Sequence, residues 1–281
     1  MSIDLCSPNY SNKTPCISKK LIKQVARIIN KESKKKVIRL SDKYLITDFQ
    51  EYLQNIFNCK DESCWGKSLK LLNIIPSSII ISINKHYKPE KPVSWNTNKN
   101  TWLSNIDIDN VLNQYKEKYK KFYYFGAIPN DFNLQKKNNC VISELCKFNI
   151  KDYINKYNNL GIVFNTDPHT KSGQHWVALY IDLVGKNVNK TPSILYFDSV
   201  GDEPSKEVKQ LIKKINRQGE RINIDFVKLQ NTIKHQYNNT ECGIYCLHFI
   251  INMLKGSSFK RYITQNKNDK YIETFRSIYY I

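Results

Sequence analysis

The stretch that most constrains the fold is residues 236–254, QYNNTECGIYCLHFIINML. It begins polar, turns apolar at Ile244 and stays apolar, with few interruptions, for about three helical turns. Asn238, Asn239 and Thr240 are turn and capping residues, and Ile244, Leu247, His248 and Ile251 recur at helical spacing, so a helix is predicted to open at Cys242. The first turn of a helix presents unpaired N–H groups and the positive end of the dipole, and both favour a thiolate over a thiol. Gly243 leaves room for a carbonyl to approach the backbone. Gln236 carries a neutral amide that can donate to an oxyanion beside the Cys242 N–H. Taken alone, the segment equally fits a buried cysteine that opens a core helix.

A partner separates the two readings. In GQHWVALYIDL, residues 173–183, Val177, Leu179 and Ile181 alternate with Ala178, Tyr180 and Asp182, which places His175 at the beginning of a strand. An isolated histidine there is more often a hydrogen-bonded core residue. About twenty residues on, SILYFDSVGDEP is a second strand run that ends in Asp198 and a turn. If the two strands pair, the Asp198 carboxylate can orient the His175 imidazole, and the other ring nitrogen can take the proton of Cys242.

His-Trp at a strand start, Asp at the end of the next strand, then Gln, five residues and Cys-Gly at a helix start resemble the clan of SUMO-deconjugating and adenovirus-type cysteine proteases. More closely, FNTDPHTKSGQHWVALYIDL, LYFDSVG and KHQYNNTECG resemble the polyprotein-processing proteases of African swine fever virus and other large DNA viruses, as does TWLSNIDIDNVL at 101–112. The resemblance implies an α+β, papain-like or SUMO-protease-like catalytic domain, a central mixed or antiparallel sheet flanked by helices. It implies a cysteine-type peptidase in which Cys242 attacks, His175 moves the proton, Asp198 holds the imidazole and Gln236 serves the oxyanion. It further implies a viral structural polyprotein cut after Gly-Gly during virion maturation, in the virion and host cytoplasm, with Trp176 pinching the substrate. Asn165 matches a position of the viral motif and is a substrate-binding candidate, although its chemistry also suits a loop cap. One departure is the third group, an asparagine in the African swine fever virus enzyme and Asp198 here. No metal or other cofactor is expected. The alternatives are a deSUMOylase or deubiquitinase, an acetyltransferase using the same triad, and a basic, non-catalytic core or nucleic-acid-binding virion protein. An acetyltransferase needs acetyl-CoA, and the sequence has no Gly-rich loop to cradle its phosphates.

The net charge of +19 and the pI near 9.4 predict attraction to polyanions, including nucleic acid, although Lys, Asn and Ile enrichment also follows from an AT-rich genome. No secretory pattern is present and no apolar run approaches ~20 residues, so a soluble monomer or weak oligomer without membrane insertion is expected. The eight cysteines lack paired C-x-x-C spacing and read as mostly reduced thiols, not zinc ligands. Residues 1–17 are polar and expected to be poorly ordered unless docked. Amphipathic patterns then predict a helix after a Ser18 cap, a second at 48–57 and a third at 69–75 that stops at Pro76. A Pro-, Lys- and Asn-rich stretch at 84–100 marks a boundary between a helical N-terminal arm, 1–95, and a catalytic domain, 96–281. In the latter a helix capped by Asp107 lies over Trp102, strands are expected at 122–125, 161–164 and 222–229, and helices at 204–216 and 269–279.

Overall fold

Ile22, Val25, Ala26 and Ile29 bury one stripe of α1 (Lys19–Glu32), and the Ser18 hydroxyl accepts the Leu21 N–H as its cap. The computed structural model to which this helix belongs describes residues 5–11, 13–136 and 139–281. Two units result, one running to Glu90 and taking in Ile278–Ile281, the other Lys91–Ser277. In the first, α2 (Leu45–Phe57), α3 (Trp65–Leu71) and α4 (Ser77–Asn84) follow α1 around a core that includes Phe49, Leu53, Trp65 and Ile83.

Three sequence expectations are corrected in this unit. Helix α2 starts at Leu45, ahead of the predicted Asp48, because Asp48 sits within the first turn and accepts Arg39 Nε and Nη2 at 2.8 Å each. The helix expected at 69–75 is α3, Trp65–Leu71, which ends before Pro76 is reached; Pro76 instead caps the start of α4, a place where a missing N–H costs nothing. The cysteines are not mostly reduced. Cys6–Cys16, Cys59–Cys64 and, in the second unit, Cys140–Cys146 form disulfides with Cα separations of 5.2, 5.7 and 6.3 Å, and only Cys242 and Cys246 are free. Which loops fold back on themselves decides the pairing, and spacing alone does not report it. The first of these bridges also docks the start of the chain, where Ser7 N–H donates to the His86 carbonyl at 2.8 Å and Lys88 N–H to that of Leu5 at 3.0 Å. Residues 1–4 and 12, included in the expectation of disorder, lie outside the described residues.

The second unit reads α5 (Asn105–Lys118), β1 (Phe122–Pro129), the antiparallel pair β2 (Gln135–Lys136) and β3 (Asn139–Cys140), α6 (Ser143–Cys146), β4 (Asn159–Asn165), β5 (Trp176–Asp182), β6 (Ser193–Phe197), α7 (Lys206–Glu220), β7 (Val227–Gln230), α8 (Cys242–Leu254), α9 (Phe259–Thr264), α10 (Asp269–Glu273) and the first three residues of α11 (Phe275–Tyr279). Ser104, not Asp107, caps α5; Asp107 returns the bond as the other half of a capping box. The terminal helix breaks at Thr274, and the strand expected at 222–229 is confined to β7.

The five-stranded sheet runs β1-β4-β5-β6-β7, parallel at each outer pair and antiparallel between β4, β5 and β6. It is therefore a mixed sheet in an α+β unit, as the motifs implied. All seven residues of β5 are buried, so both faces of the sheet are covered. On one face Leu160, Ile162, Phe164, Leu179 and Ile181 pack with Val208, Leu211 and Ile215 of α7. The other receives α8, in which every residue but Asn252 is buried. Phe197 stacks on Phe249 of α8 at 4.9 Å, and Gly161 leaves its place to the ring of Phe122. No helix among the described residues is long and apolar enough to cross a membrane.

Candidate active site

The antiparallel register of β5 on β6 pairs Ala178 with Phe197, so the beginning of one strand lies beside the end of the other. His175 precedes β5 and Asp198 follows β6, and they meet: His175 Nε2 lies 2.7 Å from Asp198 Oδ1. The same oxygen accepts the Val200 N–H at 2.9 Å, while the Asp198 carbonyl accepts Nδ2 of the buried Asn231 at 2.6 Å. The carboxylate thus points in one direction only. The Cys242 thiol, at the first residue of α8, is the other group that acts on the imidazole, raising its pKa together with Asp198. Because Asp198 holds Nε2, the nitrogen left for the sulfur is Nδ1.

Burial pulls the His175 imidazolium down, but the hydrogen bonds to Asp198 and Cys242 outweigh it and hold the group up to about 10. At neutral pH a positive charge therefore faces the sulfur, in addition to the N-terminal dipole of α8. Such an arrangement can supply a thiolate and then a proton to a leaving group.

Gln236 is buried in the loop before α8. Its backbone N–H and that of His235 both donate to the Ser199 carbonyl, at 2.9 and 2.8 Å, next to Asp198. Ser199 Oγ donates to Gln236 Oε1 at 2.6 Å, and Gln236 Nε2 donates to the Asn238 carbonyl at 2.6 Å. An amide nitrogen carries two hydrogens, so one remains for another acceptor. Asp269 of α10 fixes the loop by accepting the Tyr237 and Asn238 N–H groups at 2.8 and 2.9 Å.

Beside this centre opens a cleft of about 430 Å³, lined among others by Trp102, Leu103, Asn165, His169, Gly173 and Trp176. Trp176 is buried, and its indole N–H donates to the Leu103 carbonyl at 2.9 Å, so it forms a fixed wall. Leu103 in turn lies against Gly243: a Cβ there would stand 3.1 Å from its side chain. Trp102 is 40 % exposed and lines the cleft, while α5 buries Ile108, Val111 and Leu112. Asn165 does two things: its Oδ1 accepts the Asp167 N–H at 2.9 Å, closing the loop, and it lines the cleft against Gly173, whose φ of +91° suits glycine.

Sequence reasoning missed Ser199, Asn231, Glu241 and Arg276. The first two are common turn residues with no signal of their own. Glu241 directly precedes the nucleophile candidate, and Arg276 is a cation within the aromatic tail TFRSIYY; both carried a signal that a charge in an apolar setting needs a partner.

A family model described as YopJ serine/threonine acetyltransferase matches residues 128–281. The chain is 26% identical over 248 residues to a putative thiol protease of Acanthamoeba polyphaga mimivirus, covering 86% of this chain and 76% of that protein. To a cysteine protease of African swine fever virus it is 26% identical over 281 residues, covering 97% and 93%. A crystal structure of the African swine fever virus protease matches with a TM-score of 0.70 at 23% identity, covering 100% of this chain and 96% of that one, so the fold is shared.

Proposed function

This chain belongs to the family described as YopJ serine/threonine acetyltransferases, whose model spans more than half of it, and we propose that it uses its cysteine centre to cut a viral polyprotein after Gly-Gly. It is a cysteine-type peptidase, the class carried in the names of its viral relatives. In the proposed mechanism Cys242 attacks the scissile carbonyl and the Cys242 N–H and Gln236 amide stabilise the oxyanion. Protonated His175 then passes its proton to the leaving amine, and Asp198 keeps the ring in register. Water, deprotonated by the now neutral imidazole, releases the acyl group. The observation that carries the Gly-Gly reading is the pair of tryptophans, Trp102 and Trp176, lining one cleft in which Trp176 directly follows His175 in the chain and Leu103 lies against Gly243. Asn165 and Gly173 are proposed to line the path of the substrate backbone.

The test compares cleavage of a viral polyprotein fragment carrying Gly-Gly-x with the same fragment carrying Ala-Ala-x, with the new termini sequenced. A rate at least tenfold higher for Gly-Gly supports the reading, and equal rates overturn it. The family's printed name favours a second reading, acetyl transfer from acetyl-CoA to a hydroxyl. Acetylation of a protein acceptor without peptide cleavage is the outcome that would replace the first reading. The net charge of +19 supports an additional contact with nucleic acid, whose affinity should fall steeply with added salt.

A further inference from the structure

Arg276 of α11 is buried, and four of the five N–H groups of its guanidinium are hydrogen-bonded. Nε donates to Glu241 Oε2 at 3.0 Å, Nη2 to Glu241 Oε1 at 2.9 Å and to the Thr240 carbonyl at 3.1 Å, and Nη1 to the Thr101 carbonyl at 3.1 Å. Its Cζ lies 4.6 Å from the ring centre of Trp95. Glu241 is also buried, at 2 % exposure, and takes one further bond from Thr240 Oγ1 at 2.9 Å. These contacts converge on two places that matter to the cysteine centre. Glu241 is the residue immediately before Cys242, and Thr101 immediately precedes the cleft residues Trp102 and Leu103.

A buried carboxylate on the residue next to a nucleophilic cysteine works against the chemistry, because a like charge nearby disfavours the thiolate. The other groups that face Cys242 are His175 across the hydrogen bond, Asp198 behind the imidazole and the buried thiol of Cys246 one turn along α8. His175 and Asp198 offset one another. Glu241 would then leave an uncompensated negative charge at the start of α8 without Arg276. We propose that Arg276 is a positioning residue of the peptidase: it neutralises Glu241 beside the nucleophile and fastens the Trp102–Leu103 wall of the cleft to the first turn of α8. The role rests on the reading of Cys242 as the nucleophile. Leu103 completes the ring of contacts, since it accepts the Trp176 indole N–H and lies against Gly243.

The test measures alkylation of Cys242 by iodoacetamide across pH, read at the Cys242 peptide by mass, together with KM and kcat on a cleavable peptide. Glu241→Gln leaves the guanidinium charge in excess and moves the half-maximal pH of alkylation down. Arg276→Met leaves the carboxylate in excess and moves it up, each by about half a pH unit or more, a threefold or larger rate change at fixed pH. The double variant returns close to wild type. Arg276→Lys retains the charge and therefore the half-maximal pH, but one ammonium cannot hold the two carbonyls and the carboxylate together, so KM rises several-fold. Opposite displacements in the two single variants support the proposal, and a merely structural pair would not produce them. Equal half-maximal pH in Glu241→Gln and wild type overturns it, a result obtainable even if Arg276→Met does not fold. A wild-type Cys242 that alkylates no faster than a free thiol instead removes the nucleophile, and this role with it.

Discussion

The imidazole of His175, held up to about 10, is protonated throughout the neutral range and can act as an acid without first collecting a proton. Two predictions belong to this scale. Cys242→Ala should abolish peptide turnover while shifting the urea midpoint only slightly, since a small buried atom is lost from an otherwise intact helix; residual turnover above background would exclude the thiol mechanism. Gln236→Ala should lower kcat by roughly a hundredfold or more with little change in KM, because an oxyanion donor contributes about 3 kcal/mol in the transition state alone. The candidate residues His175, Asp198, Cys242 and Gln236 could be picked out from residue type and position in strand or helix. Arg276 stands out as a charge in an apolar tail, but its partners could not be picked out, since they lie 35 and 175 residues away along the chain.

Between elements, the fit of α8 on the sheet depends on small residues opposite it. Gly161 in β4 faces the Phe122 ring, and an added Cβ would stand 2.7 Å from it. Gly161→Ala should therefore cost about 1–3 kcal/mol, measured by urea unfolding, and an unchanged midpoint would show that the ring moves aside freely. Gly243→Ala tests a different contact. Its Cβ would press Leu103 at 3.1 Å, so kcat/KM should fall more than stability does, as the cleft wall is displaced while the core is not. The strands were legible because continuous apolar runs such as VALYI and SILYF have no other stable use in a sheet covered on both faces. Helix ends were less so. Ser104 and Asp107 are both capping residues, and only the reciprocal bonds show which comes first.

Across the molecule, acid is the condition under which the fold should weaken first. Burial, with Lys267 and Lys255 nearby, holds His248 down to about 3, and His235 is lowered by burial and Lys267 in the same direction. An unfolded histidine titrates near 6.5, so between ~6.5 and ~3 the unfolded chain binds protons that the folded one refuses. The stability present above that window is lost as pH falls through it. His175 has the opposite sign, contributing below ~6.5 and losing that contribution towards 10, so it does not offset the acid loss. The urea midpoint should accordingly drop between pH 7 and pH 4, and His248→Gln, which can still bond the Tyr262 hydroxyl, should flatten the dependence. A slope unchanged by that substitution would place the acid sensitivity elsewhere.

The sequence by itself determined that strands and an apolar helix would form, that the helix would open at Cys242 and that His175 and Asp198 would each stand at a strand end, because periodicity and turn chemistry act over a few residues. Tertiary structure alone decided that these two strand ends meet, which cysteines pair, that Trp102 lines a cleft, and that Arg276 meets Glu241. Those outcomes depend on which distant surfaces come into contact, and no local preference encodes that.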